Sequence, residues 1–212
     1  MKTRKLGSSG PEVSAVGYGA MSFTNFYGPA TVEGSNTILD TCVDLGITHI
    51  DTADAYGPAH SENVIGEWLK KRGGAAPFRI ATKVGITKRD GQRVHRNDAE
   101  HLQAALDASL TRLGVDHIDL YYIHRRDPDL PIEDVTETMA GFVKAGKIGA
   151  IGYSEIAPSS LRRAQAVHPI AAVQSEYSLS TRSPEMGLVQ TCAELGTALV
   201  AFSPVGRGLL TD

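Results

Sequence analysis

The sequence predicts an α/β protein of the (β/α)8 barrel class, and three observations support this. Amphipathic helical segments alternate with short apolar segments along the chain. Helices end repeatedly on a glycine, in VDLG, TRLG, VKAG and AELG, and an apolar segment begins within a few residues. Successive strand starts lie about thirty residues apart, the length of a βαβ unit, which predicts a parallel sheet.

Strict β/α alternation also fits an open, doubly wound sheet. An open dinucleotide-binding sheet usually carries G-x-G-x-x-G after its first strand, but this chain has GYGAMS there. The segment before the first strand, KTRKLGSSGPEVSA, predicts a β-hairpin with a Gly/Ser/Pro turn. The closed barrel with an N-terminal hairpin is therefore favoured.

The pattern predicts strands near 13–20, 48–53, 78–84, 117–124, 148–154, 171–177 and 198–204. It predicts helices near 33–45, 61–72, 97–113, 133–145, 158–167 and 184–195. Asn97 with Glu100 resembles a capping box for the third helix. Seven strands are visible, whereas such a barrel closes with eight. We expect residues 1–212 to form a single barrel domain that lacks its C-terminal portion.

Composition excludes several classes of protein. With 42% hydrophobic and 21% charged residues the chain is typical of a globular protein, and its net charge of −3 argues against a nucleic-acid partner. No segment has the length and apolarity of a signal peptide or a membrane span, so we expect a cytoplasmic protein. The two cysteines, Cys42 and Cys192, are interpreted as reduced core thiols. The histidines lack metal-ligand spacing, so no metal is expected.

Candidate catalytic residues stand at the carboxyl ends of strands, where parallel barrels place their active sites. Lys83 ends the apolar run RIATKV, and His124 ends IDLYYIH. Asp51 and Tyr56 lie in HIDTADAYG. Because the second and third strands are neighbours in a barrel, we expect Asp51 to be the counter-ion of Lys83.

These four residues suit the reduction of a carbonyl group. A phenol has an ordinary pKa of about 10, and a neighbouring ammonium stabilises the phenolate and lowers that pKa. Tyr56 could then protonate an alkoxide, His124 could bind the carbonyl oxygen, and a cofactor would supply the hydride.

Each of these residues taken alone also has a structural interpretation. Asp51 and Lys83 could form a purely structural ion pair, Tyr56 could be a loop residue, and His124 a satisfied structural histidine. Asp54 is interpreted as a loop or capping residue. The basic residues between the third strand and the third helix are interpreted as a solvated loop: Lys88, Arg89, Arg93 and Arg96.

A set of segments in order resembles the signature segments of the aldo-keto reductases. They are HIDTADAYG, SENVIGEWL, IATKV, IDLYYIH, IGYSE, AVQSEYS and AFSPVGRGLL, and they cover nearly the whole chain. The resemblance implies an eight-stranded barrel with an N-terminal hairpin at its base. It also implies reduction of aldehydes and ketones with NADPH, which binds without a Rossmann domain.

The resemblance carries over residue roles by motif. Tyr56 would be the proton donor, assisted by Asp51, Lys83 and His124. The implied cofactor-binding residues are Gly19, Ala20 and Met21 beside the nicotinamide and ribose, Ser154, Glu155 and Gln174 at the carboxamide, Phe202 against the ring, and Ser203, Pro204, Val205, Gly206 and Arg207 along the pyrophosphate. Glu155 stands where many members have asparagine.

Two alternatives to an active reductase remain open at the level of sequence. One is a regulatory subunit that binds a nicotinamide nucleotide and turns over little, as some proteins resembling the family do. The other is an inactive fragment of a reductase, because the family's adenosine contacts come from a last strand and helix that are not visible here. The partner expected in the leading interpretation is a small carbonyl compound, with neither nucleic acid nor membrane.

Overall fold

The strands of the structure, a computed structural model that describes residues 1–211, follow the predicted order along the chain. They are β1 (Thr3–Lys5), β2 (Glu12–Ser14), β3 (Tyr18–Gly19), β4 (His49–Asp51), β5 (Arg79–Val84), β6 (Ile86–Arg89), β7 (Gln92–His95), β8 (Leu120–Ile123), β9 (Ile151–Ser154), β10 (Ile170–Glu176) and β11 (Ala198–Phe202). Seven of them form one curled parallel sheet in the order β3-β4-β5-β8-β9-β10-β11. This is an incomplete (β/α)8 barrel, as predicted.

Helices lie between the successive parallel strands. They are α1 (Val32–Asp44), α2 (His60–Lys71), α3 (Ala99–Leu113), α4 (Ile132–Lys144), α5 (Pro158–Val167) and α6 (Leu188–Leu195), with short 3-10 helices at Ala20–Phe23, Ser183–Met186 and Gly206–Gly208. Four helices are followed by a glycine with a positive φ angle: Gly46 after α1, Gly114 after α3, Gly146 after α4 and Gly196 after α6. The predicted glycine stops are confirmed.

The predicted N-terminal hairpin is confirmed, because β1 pairs antiparallel with β2. Its Leu6 and Val13 pack in one buried cluster with Ala81, Leu120 and Ala172 from the sheet. Those sheet residues lie near the amino ends of their strands. The hairpin therefore covers one end of the sheet's inner face and leaves the carboxyl ends of the strands for a site.

Side chains two residues apart on a strand share a face, so the inner face can be followed from this apolar end upward. On β5 the row runs from Ala81 to Lys83, and on β8 it runs from Leu120 through Tyr122 towards His124. A Cβ at Gly152 would lie 2.3 Å from the Tyr122 ring, so only glycine leaves room for that ring. The inner face is therefore apolar near the amino ends of β5 and β8 and polar near their carboxyl ends.

Three sequence predictions need correction. The single strand predicted near 13–20 is divided into β2, which belongs to the hairpin, and β3, which belongs to the barrel sheet. The cap of α3 is Asp98, whose carboxylate accepts from the backbone N–H of His101. The Asn97 side chain instead accepts from the backbone N–H of Asp127, at 2.6 Å. The solvated loop predicted around Arg93 contains the antiparallel hairpin β6–β7.

A buried ion pair joins the layers behind the sheet's inner face. The carboxylate of Glu62 in α2 is fully buried, and it accepts from Nε of Arg112 in α3 and from the hydroxyl of Thr82 in β5, each at 2.6 Å. Thr82 precedes Lys83, so this contact anchors the strand that carries the lysine.

We expect Glu62→Gln to destabilise the protein by roughly 3 kcal/mol, because it leaves the Arg112 charge without its partner. The value lies at the lower end for a buried pair, since Arg112 is partly exposed. Urea unfolding of the variant and wild type measures it. Glu67→Gln on the exposed side of the same helix is the control, and equal midpoints for all three proteins would contradict the expectation.

Candidate active site

Lys83 is the centre of the polar end of the inner face. Its side chain is fully buried, and its Nζ forms an ion pair with Asp51 on the neighbouring strand β4. The same ammonium donates to the carbonyl oxygen of Thr52 at 2.8 Å and lies 3.1 Å from the Tyr56 hydroxyl. All three hydrogens of the ammonium therefore have an acceptor, which makes burial of the charge tolerable.

The Asp51 carboxylate is held from two directions. One oxygen pairs with Lys83, and the other accepts from the side-chain amide of Gln174 at 2.7 Å. Gln174 lies on β10, four strands away from β4 in the sheet order, so the curl of the sheet brings the two together. This contact fixes the amide orientation, because a carboxylate can only accept.

Tyr56 lies in the loop after β4 and packs against His124. Their rings meet edge to face with centroids 5.6 Å apart, and the Lys83 ammonium lies 4.9 Å from the centre of the tyrosine ring. The structure therefore brings together all four predicted catalytic residues, from β4, the loop after it, β5 and the end of β8.

Burial has the largest effect on the pKa of Tyr56. It raises the pKa of Tyr56 above its ordinary value, although the Lys83 charge acts in the opposite direction. The expectation of a lowered phenol pKa is wrong for this structure, because burial outweighs the effect of Lys83 and Asp51 offsets part of that effect. Burial alone would lower the pKa of Lys83, but Asp51 and Tyr56 raise it above its ordinary value. The lysine is a stable cation beside a protonated phenol.

His124 is a neutral imidazole. Burial first, and then the charges of Lys83, Arg125, Arg93 and His95, lower the pKa of His124 to about 2. Its Nδ1 is buried and has no hydrogen-bond partner in the described part of the chain. A neutral ring carries one N–H, on Nδ1 or on Nε2.

A model of the Aldo/keto reductase family matches residues 15–212. The chain belongs to the aldo/keto reductase family.

Individual relatives agree with this assignment. The chain is 41% identical over 214 residues to Aldo-keto reductase yakc [NADP(+)] of Schizosaccharomyces pombe, an alignment that covers 99% of this chain and 62% of the relative. It is 44% identical over 220 residues to Aldo-keto reductase str7 of Strobilurus tenacellus, covering 100% of this chain and 63% of the relative. The chain thus spans less than two thirds of the length of these relatives.

A solved structure has the same fold. The aldo-keto reductase AKR11C1 from Bacillus halodurans, in its holo form, superposes with a TM-score of 0.89 at 32% sequence identity. The match covers 100% of this chain and 69% of the bacterial one. The barrel assignment therefore agrees with an experimental member of the family.

The structure places the remaining predicted residues at or directly after the carboxyl ends of parallel strands. Ser154 ends β9, Gln174 lies in β10, and Phe202 ends β11. Gly19 ends β3, and the other positions follow a strand end: Ala20 and Met21 after β3, Glu155 after β9, and Ser203, Pro204, Val205, Gly206 and Arg207 after β11. Glu155, Ser203 and Arg207 have positive φ angles of 54°, 50° and 56°, which only sharp turns require.

Two groups that contact the candidate site residues were not predicted from the sequence. The carbonyl oxygen of Thr52 is a lysine acceptor that no side-chain pattern could show. Arg125 follows His124 directly, and its Nη1 donates to the Ser154 hydroxyl at 3.0 Å and to the His124 carbonyl at 2.6 Å. The position of Arg125 beside a strand-end histidine was a signal that could have been used.

Two findings concern the described residues as a whole. Within residues 1–211 no helix is both long enough and apolar enough to cross a membrane. The same residues contain no group of three or more His, Cys, Asp or Glu side chains that could hold a metal ion.

Asp54 is a half-buried acid two residues before Tyr56, and not only the loop or capping residue that the sequence suggested. Its backbone N–H donates to the Lys83 carbonyl at 3.1 Å, and its Oδ1 is buried with no partner among residues 1–211. Burial, and next the charge of Glu62, raise the pKa of Asp54 to about 7. The folded protein therefore binds a proton there near neutral pH.

This raised pKa predicts a pH-dependent effect of Asp54→Asn. Between the ordinary pKa of 3.8 and about 7 the folded state holds more protons than the unfolded state, so wild-type stability falls as pH rises through that window. The amide has no such dependence. The variant should gain on wild type by roughly 4 kcal/mol at most between pH 4 and pH 8.

Urea unfolding of both proteins at several pH values tests this expectation. Asp116→Asn, an exposed aspartate after α3, is the matched control and should follow wild type. A stability difference between Asp54→Asn and wild type that stays constant from pH 4 to pH 8 would show that the carboxyl is ionised in the folded state.

Proposed function

We propose that the protein reduces an aldehyde or ketone to an alcohol with NADPH, and that Tyr56 is the proton donor. One observation carries the proposal: the phenol lies 3.1 Å from a buried ammonium that is itself paired with Asp51. A regulatory subunit with little turnover would need no such proton donor. We also propose a cytoplasmic location, where the free thiols of Cys42 and Cys192 would stay reduced.

Tyr56 is suited to give a proton to a forming alkoxide. Because burial raises the pKa of Tyr56, the phenol is protonated at neutral pH and available as an acid. The phenolate that remains after transfer faces the Lys83 ammonium, which stabilises the new negative charge. The ion pair with Asp51 keeps the ammonium in place throughout.

His124 directs the substrate. Its neutral ring packs on the edge of Tyr56, so an N–H from the imidazole and the O–H of the phenol can bind one carbonyl oxygen together. A positively charged imidazole would compete as a proton donor, and the lowered pKa of His124 prevents this. Two donors aimed at one oxygen stabilise the negative charge that develops on a carbonyl oxygen as it is reduced.

The residues beside the catalytic group fit a nicotinamide. A primary amide needs one donor and one acceptor, and the Ser154 hydroxyl and the carbonyl oxygen of the Gln174 side chain can supply them, since Gln174 uses its NH2 group for Asp51. Such a cofactor supplies a hydride when bound. Phe202 would stack on its ring, and the exposed Arg207 would bind its pyrophosphate.

Two names support NADPH as the cofactor. The fission-yeast relative carries NADP(+) in its name, and the bacterial structure is a holo form.

Tyr56→Phe should lower kcat for carbonyl reduction by about 10²–10⁴-fold, the usual contribution of a positioned acid, and leave the Kd for NADPH nearly unchanged. The phenol acts in proton transfer and not in cofactor binding, which is the physical reason. Steady-state kinetics and NADPH fluorescence titration measure the two quantities in the full-length protein.

Tyr177→Phe is the control. It removes a hydroxyl that binds Glu185 within the connection between β10 and α6, and the variant should behave as wild type. Turnover of Tyr56→Phe within a few-fold of wild type would remove Tyr56 from its proposed role.

Lys83→Met should move the pH profile of alcohol oxidation to higher pH. Oxidation needs the phenolate as base, and the substitution removes the cation that favours it while Asp51, whose charge disfavours it, remains. Each unit of pKa corresponds to a tenfold change in the phenolate fraction at a given pH.

The measurement is kcat for oxidation from pH 6 to pH 11 for wild type, Lys83→Met and the exposed-helix control Lys70→Met. A folded Lys83→Met protein with an unmoved profile would mean that the lysine does not tune the phenol.

A further inference from the structure

Arg125 lies at the mouth of the site, defined here as the region around the carboxyl ends of β4, β5 and β8. Two of its five N–H groups, both on Nη1, bind the His124 carbonyl and the Ser154 hydroxyl. These contacts hold the guanidinium beside the catalytic histidine. The N–H groups on Nε and Nη2 have no hydrogen-bond acceptor among residues 1–211, and the Arg125 side chain is partly exposed.

The Arg125 charge has no ion-pair partner within 4.0 Å among residues 1–211, although the side chain is partly buried. Glu155 is the carboxylate whose charge reaches it, but a Glu155 oxygen accepts from the backbone N–H of Glu176 at 2.8 Å. Asp51 is already held by Lys83 and Gln174. A partly buried guanidinium without a counter-ion is unfavourable unless a ligand supplies one.

A second guanidinium lies near Arg125. Arg93 is on β7 of the hairpin β6–β7, and its charge acts on both His124 and Arg125. Two guanidinium groups and the single carboxylate of Glu155 leave this side of the mouth with an excess of positive charge, which favours anionic ligands.

Two exposed aromatic rings lie on the Tyr56 side of the mouth. Phe26 and Tyr27 are more than half exposed and pack edge to face at 4.9 Å, and Tyr27 lies near enough to Tyr56 to act on its pKa. A ligand bound at Tyr56 could therefore contact an aromatic ring as well as the catalytic groups.

We propose that the carbonyl substrate carries a carboxylate, which Arg125 binds through Nε and Nη2 while the carbonyl oxygen lies between Tyr56 and His124. This inference rests on the proposed reductase function. The planar fork formed by Nε and Nη2 matches the two oxygens of a carboxylate.

The cofactor's phosphates are a poor candidate for the same guanidinium. Their proposed residues follow β11, which is three strands from β8 in the sheet. At about 4.8 Å between neighbouring strands, this separation is roughly 14 Å. Arg125 instead adjoins the residues that would face the carbonyl group.

A matched pair of substrates tests the inference in the full-length protein. The probes are 3-carboxybenzaldehyde and its methyl ester, methyl 3-formylbenzoate, which differ in the charge of one substituent. Wild type should have the higher kcat/KM for the acid. In Arg125→Met the ratio of acid to ester should fall about tenfold or more, the usual scale for loss of a charge-assisted hydrogen-bonded pair.

Two further variants separate charge from position. Arg125→Lys keeps the charge without the fork, and its ratio should lie between those of wild type and Arg125→Met. Arg89→Met, at the turn of the hairpin β6–β7, is the control and should keep the wild-type ratio of kcat/KM for acid to ester. If Arg125→Met lowers kcat/KM for acid and ester equally, Arg125 only positions Ser154 and His124, and the inference is overturned while the reductase function stands.

Binding of benzoate provides a readout that needs no turnover. By calorimetry, benzoate should bind wild type about tenfold or more tightly than Arg125→Met, whereas benzamide should bind both equally. If neither aldehyde is reduced but benzoate binds through Arg125, the proposed reduction is wrong and the carboxylate site stands. Equal benzoate affinity in both proteins would overturn the site.

Discussion

A lysine inside a parallel sheet must find an acceptor for each hydrogen of its ammonium, and the site around Lys83 depends on how this chain meets that requirement. Asp51, Thr52 and Tyr56 supply the acceptors, and all three come from β4 and the residues after it. Pairing of β4 with β5 therefore determines both the charge state of the lysine and the position of the phenol. A change in register between these strands would leave a buried charge unpaired.

The interior supports this pair from below and from behind. Below it, the hairpin β1–β2 closes the apolar end of the sheet with Leu6 and Val13, so polar groups are confined to the other end. Behind it, Glu62 binds Thr82 and Arg112 and anchors β5 to two helices. The site thus stands on rigid elements, which catalysis by positioning requires.

Much of the fold and of the candidate site could be predicted from single polar residues whose burial in a strand costs free energy. A lysine in RIATKV and a histidine after IDLYYI are unexpected in buried strands, and glycines after helices mark where the next strand begins. Sequence could not show the net effect on the Tyr56 pKa, because burial and two opposite charges act on the phenol at once. It could not show which residue caps α3 either, because the Asn97 side chain accepts a hydrogen bond from the backbone N–H of the distant residue Asp127.

The sequence by itself determined the alternation of strands and helices, the parallel order of the sheet and the four side chains at the strand ends. These features could be predicted because the spacing of apolar residues and the presence of polar residues in buried strands are local signals. Only the tertiary structure decided that Gln174 binds Asp51 from the far side of the sheet, that Asp54 is partly buried near Glu62, and that Arg125 has no ion-pair partner among residues 1–211. Those features arise from the curl of the sheet, which brings together residues far apart in sequence, and no local pattern records that closeness.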